Sequence, residues 1–335
     1  MTEFYFDIYD KDNNFKFRKN DVLSARIDFD SLSQILCTAE ITILEDDRIN
    51  YISDKIQISC DIDGKNTPLG LYIINSPDRK LTQKCVTRTL RCFSTLKELK
   101  DEKTERTLVF KEGTAICETI KRLVGNKKAM TIQDFPGRLS VQKVYPPGAE
   151  LLEIINDLLS LTTYSRLLVD RLGRFYVEKY VLPVDKDISI TYKEKEAQIV
   201  DEITETIDYD IPNTFVMTTQ DISTNPPIVV VYYNQNASSP VSIQNRGRKV
   251  VEFNTVDDIT DREVLALKNK KLAYERSQTM SHVTLETGIN PAHWYLDCIY
   301  LKSYDLNNKY TETSWRMELK NGGKMSHTLR RAVQL

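Results

Sequence analysis

The sequence predicts a mainly β protein in which an α+β insert separates two β units. Apolar and polar side chains alternate with period two through residues 1–95, helical spacing replaces this alternation in residues 96–182, and the period of two returns in residues 183–335. We therefore expect three domains with these boundaries: an N-terminal β unit, an α+β insert and a second β unit that carries one helix.

Six strand-like runs make up the N-terminal unit. Turn-forming residues at Asp10–Asn14 and Asp63–Asn66 separate some of them. The runs are Phe4–Ile8, Ala25–Phe29, Cys37–Ile43, Ile56–Ile62, Leu69–Asn75 and Val86–Phe93. Six short antiparallel strands at this spacing are typical of a barrel or a sandwich.

Two helices open the insert. Apolar residues recur at helical spacing over Ile116–Leu123, between Thr114, which we expect to cap the helix, and Gly125, which we expect to end it. Apolar residues in Leu151–Leu159 fill more than one helical stripe. The second helix is therefore expected to be covered by neighbouring structure.

A hairpin closes the insert. Two strand-like segments, Tyr164–Asp170 and Arg174–Tyr180, flank a short turn. The turn contains Gly173, which can adopt the positive φ that tight turns require.

The second β unit combines strands with one helix. Its strand-like runs are Ile188–Tyr192, Thr214–Thr218, Ile228–Tyr233, Val283–Glu286, Tyr295–Ser303 and Thr313–Leu319. Ile228–Tyr233 is apolar enough to predict a central strand. The helix is expected from Asp261 to about Ser277, with Thr260 as its cap.

Composition and charge narrow the class of protein. Hydrophobic residues make up 41% of the chain and charged residues 28%, as in ordinary folded proteins. The 46 basic and 48 acidic residues leave a net charge of −2, which predicts no sequence-specific nucleic-acid binding. No run approaches the roughly 20 apolar residues that a bilayer span requires, so we expect no membrane span.

The N-terminus and the cysteines indicate folding in the cytosol. Glu3, Asp7 and Asp10 interrupt the first ten residues, which lack the basic start and apolar run of a secretory signal. The six cysteines form no CxxC pair. We therefore expect mostly buried, reduced thiols rather than a disulfide framework.

The sequence contains no enzyme signature that we can identify. It has no GxG pair for a nucleotide loop and no GxSxG elbow. The three histidines, His282, His293 and His327, lack metal-binding spacing, so a zinc site would have to be assembled from scattered residues. We predict that the protein is not an enzyme, with no catalytic, cofactor-binding or metal-binding residue and no cofactor.

An acidic cluster leaves alternatives open. Glu202, Glu205, Asp208 and Asp210 could hold a glycosidase-like carboxylate pair, or they could form a solvated strand edge or a surface for a basic partner. Residues 185–210 contain nine acidic and three basic residues, whereas residues 79–128 contain fourteen basic and six acidic ones. Such asymmetry could set the register between copies in an oligomer, or could mark two solvated surfaces.

A long polar loop is the candidate partner interface. Residues 234–248 contain few core-forming side chains and exceed the usual length of a connection in a compact domain. Such loops commonly make contacts with partners or remain mobile on the surface. The interface residues that we predict are Asn234, Gln235, Arg246 and Arg248.

Several segments together resemble a known family. They are PLGLYIINSP at 68–77, LLVDRLGRFYVEKY at 167–180, YDIPNTFV at 209–216, GINPAHW at 288–294 and WRMEL at 315–319. In this order they resemble the XkdQ/YqbQ-like baseplate hub proteins of phages that infect Gram-positive bacteria, within the late control protein D and tail hub superfamily. The polar loop departs from the family pattern.

The resemblance implies a structural role in a phage tail or contractile injection system. It implies two tail-tube-like β-barrel units per chain and a homotrimer that joins the sixfold tail tube to a threefold spike or cell-puncturing protein and initiates tube assembly. Baseplate wedge and tape-measure proteins are further implied partners. The implied location is the virion tail baseplate, assembled in the cytoplasm of the bacterial host.

Two other functions remain open. A receptor- or carbohydrate-binding tail component would show an exposed aromatic platform, for which the 17 tyrosines offer material. A cell-wall hydrolase would need a cleft with two close carboxylates from the dispersed acidic residues.

Overall fold

Strands dominate the structure, a computed structural model that describes residues 2–125, 130–193, 203–208, 210–219, 226–256, 259, 261–303 and 306–332. The strands are β1 Thr2–Tyr9, β2 Phe15–Lys19, β3 Val22–Asp30, β4 Cys37–Leu44, β5 Lys55–Ile62, β6 Lys65–Leu81, β7 Val86–Ser94, β8 Leu108–Phe110, β9 Lys143–Tyr145, β10 Leu168–Val169, β11 Phe175–Tyr176, β12 Ile190–Lys193, β13 Thr204–Ile207, β14 Thr214–Thr219, β15 Val229–Tyr233, β16 Val251–Val256, β17 Ser281–Gly288, β18 Cys298–Ser303, β19 Leu306–Glu318 and β20 Lys324–Arg331. The helices are α1 Leu96–Asp101, α2 Ile116–Val124, α3 Leu151–Ser160, α4 Ile243–Arg246 and α5 Arg262–Ser277. The predicted mainly β class is confirmed.

One sheet of 13 strands joins the two ends of the chain. The N-terminal strands lie in the order β2-β1-β5-β6-β7-β4-β3, and β3 pairs with β19, from which the sheet continues through β20 and β17 to β13. β18 pairs with the other part of β19 and with β12. Among the described residues the strand pairings do not close into a ring, so no closed barrel is formed. The strands predicted for the two barrel units instead belong to this one shared sheet.

The β3–β19 junction lies over a shared core. Arg26–Asp30 pairs antiparallel with Ser314–Glu318. Behind this pairing the Phe29 ring stacks on Trp315, with 5.2 Å between ring centroids. Buried apolar residues of the N-terminal strands, of the insert and of β19 belong to one continuous hydrophobic cluster.

Within the insert, α3 packs against both α1 and α2. Six apolar side chains of α3 are buried, which confirms that this helix is covered. Gly125 ends α2 with φ +75° as expected. The prediction that Thr114 caps α2 was wrong. The Thr114 hydroxyl donates to the Lys111 carbonyl, and Ala115 occupies the cap position without a side-chain hydrogen bond.

The predicted hairpin is present, with shorter strands than the sequence indicates. Its ladder pairs Leu168–Val169 with Phe175–Tyr176, and Gly173 adopts φ +76° in the turn. The rest of each segment is held by single bridges and side-chain contacts, such as the bridge between Tyr164 and Lys179.

A separate three-stranded sheet has the order β15-β14-β16, with β14 and β16 parallel. Helix α5 covers one face, where the Asn269 side chain donates to the Phe215 carbonyl. The prediction of a central strand at 228–233 was wrong, because β15 lies at the edge of this sheet. Asp261 caps α5 by accepting from two backbone N–H groups, whereas the predicted cap Thr260 lies outside the described residues.

In the second unit the strands predicted at 188–192, 214–218, 283–286, 295–303 and 313–319 correspond to β12, β14, β17, β18 and β19, while β13, β16 and β20 were not predicted. Earlier in the chain β2, β8 and β9 were not predicted either. All six cysteines are free, and all except Cys85 are buried. None of the helices within the described ranges is both long and apolar enough to cross a bilayer.

Candidate functional site

The predicted interface loop is anchored from within. Asn234 is fully buried and its side chain donates to Ser239 Oγ at 3.0 Å. The side chain of Asn213, also fully buried, donates to the carbonyls of Val241 and Arg248, which brings the two halves of the loop together. The loop is therefore held in one conformation by amide side chains, although it contributes few apolar groups.

The four predicted interface residues fall into two groups. Asn234 is inaccessible, and the half-buried Arg246 donates to the Ile211 carbonyl at 2.7 Å. Gln235 and Arg248 are exposed. Contact with a partner stays a prediction for these two, while Asn234 and Arg246 shape the loop that presents them.

An exposed apolar face adjoins this loop. The face of the small sheet that α5 leaves uncovered carries apolar side chains where an ordinary solvated sheet carries polar ones. The exposed fractions are 43% for Val229, 41% for Val231, 41% for Tyr233, 55% for Val251 and 63% for Phe253. Contiguous exposed apolar patches of this kind mark interaction surfaces.

The face is continuous across the sheet and has a basic end. Val216 on β14 lies between Val231 and Phe253 in the strand register. Lys249 Nζ lies 4.9 Å from the centroid of the Tyr233 ring, beside the end of the loop. The one carboxylate on these three strands, that of Glu252, turns to the other face, where it accepts from Arg276 of α5.

The acidic cluster forms no cleft that the described residues reveal. Glu205 lies on the edge strand β13 and accepts from the Ser281 hydroxyl at 2.6 Å. Asp208 and Asp210 are exposed and follow that strand, while Glu202 lies outside the described residues. The three described carboxylates therefore follow a solvated strand edge.

The fold brings two of the three histidines together around one carboxylate. Glu312 forms one hydrogen bond through each oxygen, with 2.6 Å to His293 Nδ1 and 2.6 Å to His327 Nδ1. The opposite ring nitrogens meet hydroxyl groups, His293 Nε2 with Tyr192 at 2.6 Å and His327 Nε2 with Thr287 at 2.8 Å. All five side chains are buried, and every titratable atom of the two rings and the carboxylate has a partner.

The distances favour a hydrogen-bonded cluster over a metal centre. Zinc–ligand bonds to imidazole and carboxylate are about 2.0–2.2 Å, so two ligands of one tetrahedral ion lie more than about 3 Å apart. The two 2.6 Å separations instead match direct hydrogen bonds. We assign the cluster of His293, Glu312 and His327 a structural role inside the second β unit.

Burial sets the protonation of this cluster. It lowers the pKa of His293 to about 4 and lowers that of His327, although the hydrogen bond to Glu312 partly opposes the second shift. Burial also raises the pKa of Glu312 to about 7. The neutral forms of all three groups are favoured because a net charge in this dry environment would be costly.

Arg171 links the insert to both β units. From the hairpin turn its guanidinium donates to the Pro68 carbonyl of β6 at 3.1 Å and to the Ala292 and His293 carbonyls at 2.8 and 3.1 Å. It also lies 4.9 Å from the Trp294 ring centroid. One side chain therefore ties together three segments that are far apart in the sequence.

Two of these features were missed from the sequence. The apolar face had a signal in the sequence, because Val229–Tyr233 lacks the polar residues at alternate positions that a solvated strand carries. We interpreted this apolar run as a strand buried on both faces of its sheet. The histidine cluster had none, because its members come from separate strands and loops.

Comparison with known proteins adds information on the fold. No family model matches the chain, and no curated protein matches it by sequence. Solved structures do match over nearly the whole chain. The tail protein from Neisseria meningitidis MC58 superimposes with a TM-score of 0.71 at 13% identity, covering 98% of this chain and 97% of that chain.

Two further structures extend this comparison. The prophage tail protein gp18 from Listeria monocytogenes EGD-e has a TM-score of 0.61 at 12% identity, over 97% of this chain and 94% of that one. The E. coli c3393 protein, described as a type VI secretion component similar to T4 tail proteins gp27 and gp5, has a TM-score of 0.55 at 9% identity, over 94% and 74%. The chain has the fold of phage tail proteins. The resemblance to tail hub proteins is thereby confirmed at the level of fold.

Proposed function

We propose that the chain is the structural hub of a phage or phage-like contractile particle. In this proposal three copies form a symmetry adaptor that joins the sixfold tail tube to a threefold spike and initiates assembly of the tube. The observation that carries the proposal is the full-length match to phage tail proteins, together with the junction of two β units in one sheet.

The junction suits the proposed change of symmetry. Each chain holds two β units in a fixed relation through the β3–β19 pairing and the Arg171 contacts. Three such chains around an axis would present six β units to the tube and three copies of every other surface to the spike. A cyclic assembly of this kind uses contacts between unlike surfaces of neighbouring copies.

We assign partner binding to the exposed face of the small sheet and to the adjoining Gln235 and Arg248. An apolar centre with a cationic margin is typical of the surface that a protein partner covers. The spike, the wedge proteins and the tape-measure protein are the partners proposed for the hub, and its proposed location is the tail baseplate, assembled in the host cytoplasm.

The proposal predicts a trimer that nucleates tube growth. Light scattering on the purified protein, alone and mixed with the tail tube protein of the same particle, should reveal a species of three times 38.8 kDa. Added in small amounts to purified tube protein, the trimer should shorten the lag before tubes appear in electron micrographs.

The outcomes separate the proposal from its alternatives. A protein that remains a monomer in the presence of tube protein, and that leaves the lag unchanged, contradicts the hub. Bovine serum albumin at equal mass concentration controls for crowding in the nucleation assay.

A further inference from the structure

A groove of about 670 Å³ opens between β1 and β3 in the N-terminal unit. Its walls are Thr2–Phe6 on one side and Val22–Arg26 on the other, and Glu318–Asn321 lies at one end. Both walls belong to the large sheet, in which β5, β6, β7 and β4 separate β1 from β3. The two strands are therefore not hydrogen-bonded neighbours, but they face each other across the groove.

Both walls carry an open strand edge. Thr2–Tyr5 pairs with β5 on one side, while the pairing of β1 with β2 begins only at Phe6. Val22–Ser24 pairs with β4 on one side, while the bonds toward β19 begin at the Ala25 carbonyl, which accepts from the Leu319 N–H. Within the described part of the chain, no strand pairs with the second edge of either segment.

The groove has an apolar floor. Phe6 is buried, and Phe4, Val22 and Ala25 are partly buried and pack against the main core. The hydrophobic core of this unit therefore reaches the groove. An occupant that contributes apolar side chains on alternate positions would extend the core rather than start a new one.

The charges around the groove are balanced by one another. Arg26 pairs with Glu40 at 3.4 Å, and Lys320 pairs with Glu318 at 2.8 Å. The buried Lys19 pairs with Asp21 at 2.9 Å and with Asp46 at 3.1 Å. The rim thus offers no excess of either charge to an ionic ligand, whereas the open backbone edges offer rows of N–H and C=O groups.

We propose that this groove receives an extended, uncharged segment of another tail protein, which pairs with β1 and β3 as an added strand. About four residues, roughly 13 Å of strand, would match the open length of β1. Strand addition of this type obtains its affinity from main-chain hydrogen bonds and its specificity from alternate side chains. The inference rests on the proposed function, because the occupant is a protein of the assembled tail.

Hydrogen–deuterium exchange of the unmodified protein tests the proposal. The probe is the intact tail particle, and the comparison is the isolated protein at two concentrations. The informative amides are those of Thr2–Tyr5 and Val22–Ser24 that point into the groove rather than to β5 or β4. We expect these amides on both edges to exchange at least about tenfold more slowly in the particle, and to exchange rapidly in the isolated protein at either concentration.

Three outcomes contradict the inference in different ways. Rapid exchange of both edges in particles that contain the protein leaves the hub intact and excludes strand addition. Protection that grows with the concentration of the isolated protein makes a second copy the occupant, against the proposal. Absence of the protein from the particles, detected by mass spectrometry, contradicts the hub and this inference together.

A matched pair of variants supplies the second test. Leu23 and Leu32 are both 56% exposed, and only Leu23 lines the groove. Leu23→Asp should lower incorporation into particles at least about tenfold, whereas Leu32→Asp should leave incorporation unchanged. Ser24→Trp, which fills the groove from an exposed position, should act like Leu23→Asp, so a folding defect in one variant does not decide the result.

Discussion

At the scale of single residues, Arg171 has the largest predicted effect on stability. Replacing it with alanine removes the guanidinium bonds to carbonyls in β6 and in the segment before β18. Because these bonds are partly buried and involve a charged donor, Arg171→Ala should lower the free energy of unfolding by about 3 kcal/mol. Urea denaturation followed by circular dichroism measures the change.

The control for this variant is three residues away. Arg174 is exposed and pairs with Asp170 at 2.6 Å, so Arg174→Ala should cost less than about 1 kcal/mol. Equal losses in the two variants would show that Arg171 does not link the insert to the β units.

The histidine cluster predicts a pH dependence of stability. Both imidazoles have lowered pKa values and Glu312 has a raised one, about 7. Between about pH 4.5 and 6.5 the unfolded chain therefore comes to hold protons on two histidines, whereas the folded chain holds one proton, on Glu312. The excess of one proton in the unfolded state makes stability fall with falling pH, by about 1.4 kcal/mol per pH unit at most.

The neutral variant His327→Gln isolates this effect. It removes one of the two imidazoles, so proton uptake by the cluster becomes equal in the folded and unfolded states and its contribution to the slope disappears. Urea denaturation at pH 4.5, 5.5 and 6.5 compares the variant with the parent protein. Parallel pH profiles for the two proteins would refute the assignment.

For single residues, the sequence predicted backbone conformation better than it predicted side-chain contacts. The positive φ of Gly173 followed from its place in a turn, because only local backbone geometry decides it. The burial of Asn234 did not follow, because its partners Ser239 and Asn213 act through the folded loop. An asparagine that anchors a loop and one that faces solvent have the same local sequence signal.

At the scale of elements, the hairpin turn is sensitive to the addition of one methyl group. A Cβ at Gly173 would lie 2.8 Å from Leu71 Cδ2 and 3.0 Å from Thr95 Cγ2. Gly173→Ala should therefore cost about 2–4 kcal/mol, from the left-handed backbone and from the clash. Thermal unfolding measures the loss.

Gly247 provides the comparison without the clash. It has φ +66°, and a Cβ there would meet no atom within 4 Å. Gly247→Ala should cost only about 1 kcal/mol, from the backbone alone. If both variants lose the same stability, the packing of the hairpin turn against β6 contributes nothing.

The small sheet predicts an effect on assembly without an effect on folding. Phe253 is 63% exposed on the apolar face, so Phe253→Lys should change the free energy of unfolding by less than about 0.5 kcal/mol. If the face binds a partner, the same variant should enter tail particles at least about tenfold less often. Leu32→Lys, at an exposed leucine outside this face, serves as the control, and equal incorporation of both variants would contradict the interface.

Elements were predicted well where periodicity is local and poorly where burial depends on neighbours. α3 and α5 were recognised from helical spacing, and most strands of the large sheet from alternation. β15 was placed at the centre of a sheet because five apolar residues in a row are typical of strands covered on both faces. β15 has the same composition at an edge, with alternate side chains exposed on the face that α5 leaves uncovered.

At the scale of the whole molecule, the order of the segments was predictable and their union was not. Alternation indicates which residues form strands, but it carries no information about which distant strands become neighbours. The pairing of β3 with β19 therefore had no local signal, and the units were expected as separate barrels. The segment order, through the resemblance to tail hubs, was the stronger guide to the fold.

The β3–β19 pairing also has a consequence for how the chain is made. Asp30 and Ser314 pair across 284 residues of sequence, so a ribosome must release that entire stretch before this edge of β3 finds its neighbour. Until then the nascent N-terminal unit exposes one unpaired edge of β3, the strand that contains Ile27 and Phe29, and such an edge is a template for aggregation. Synthesis in the cell should consequently depend on chaperones that hold this edge during translation, and refolding from denaturant should be slow at the step that closes this longest loop.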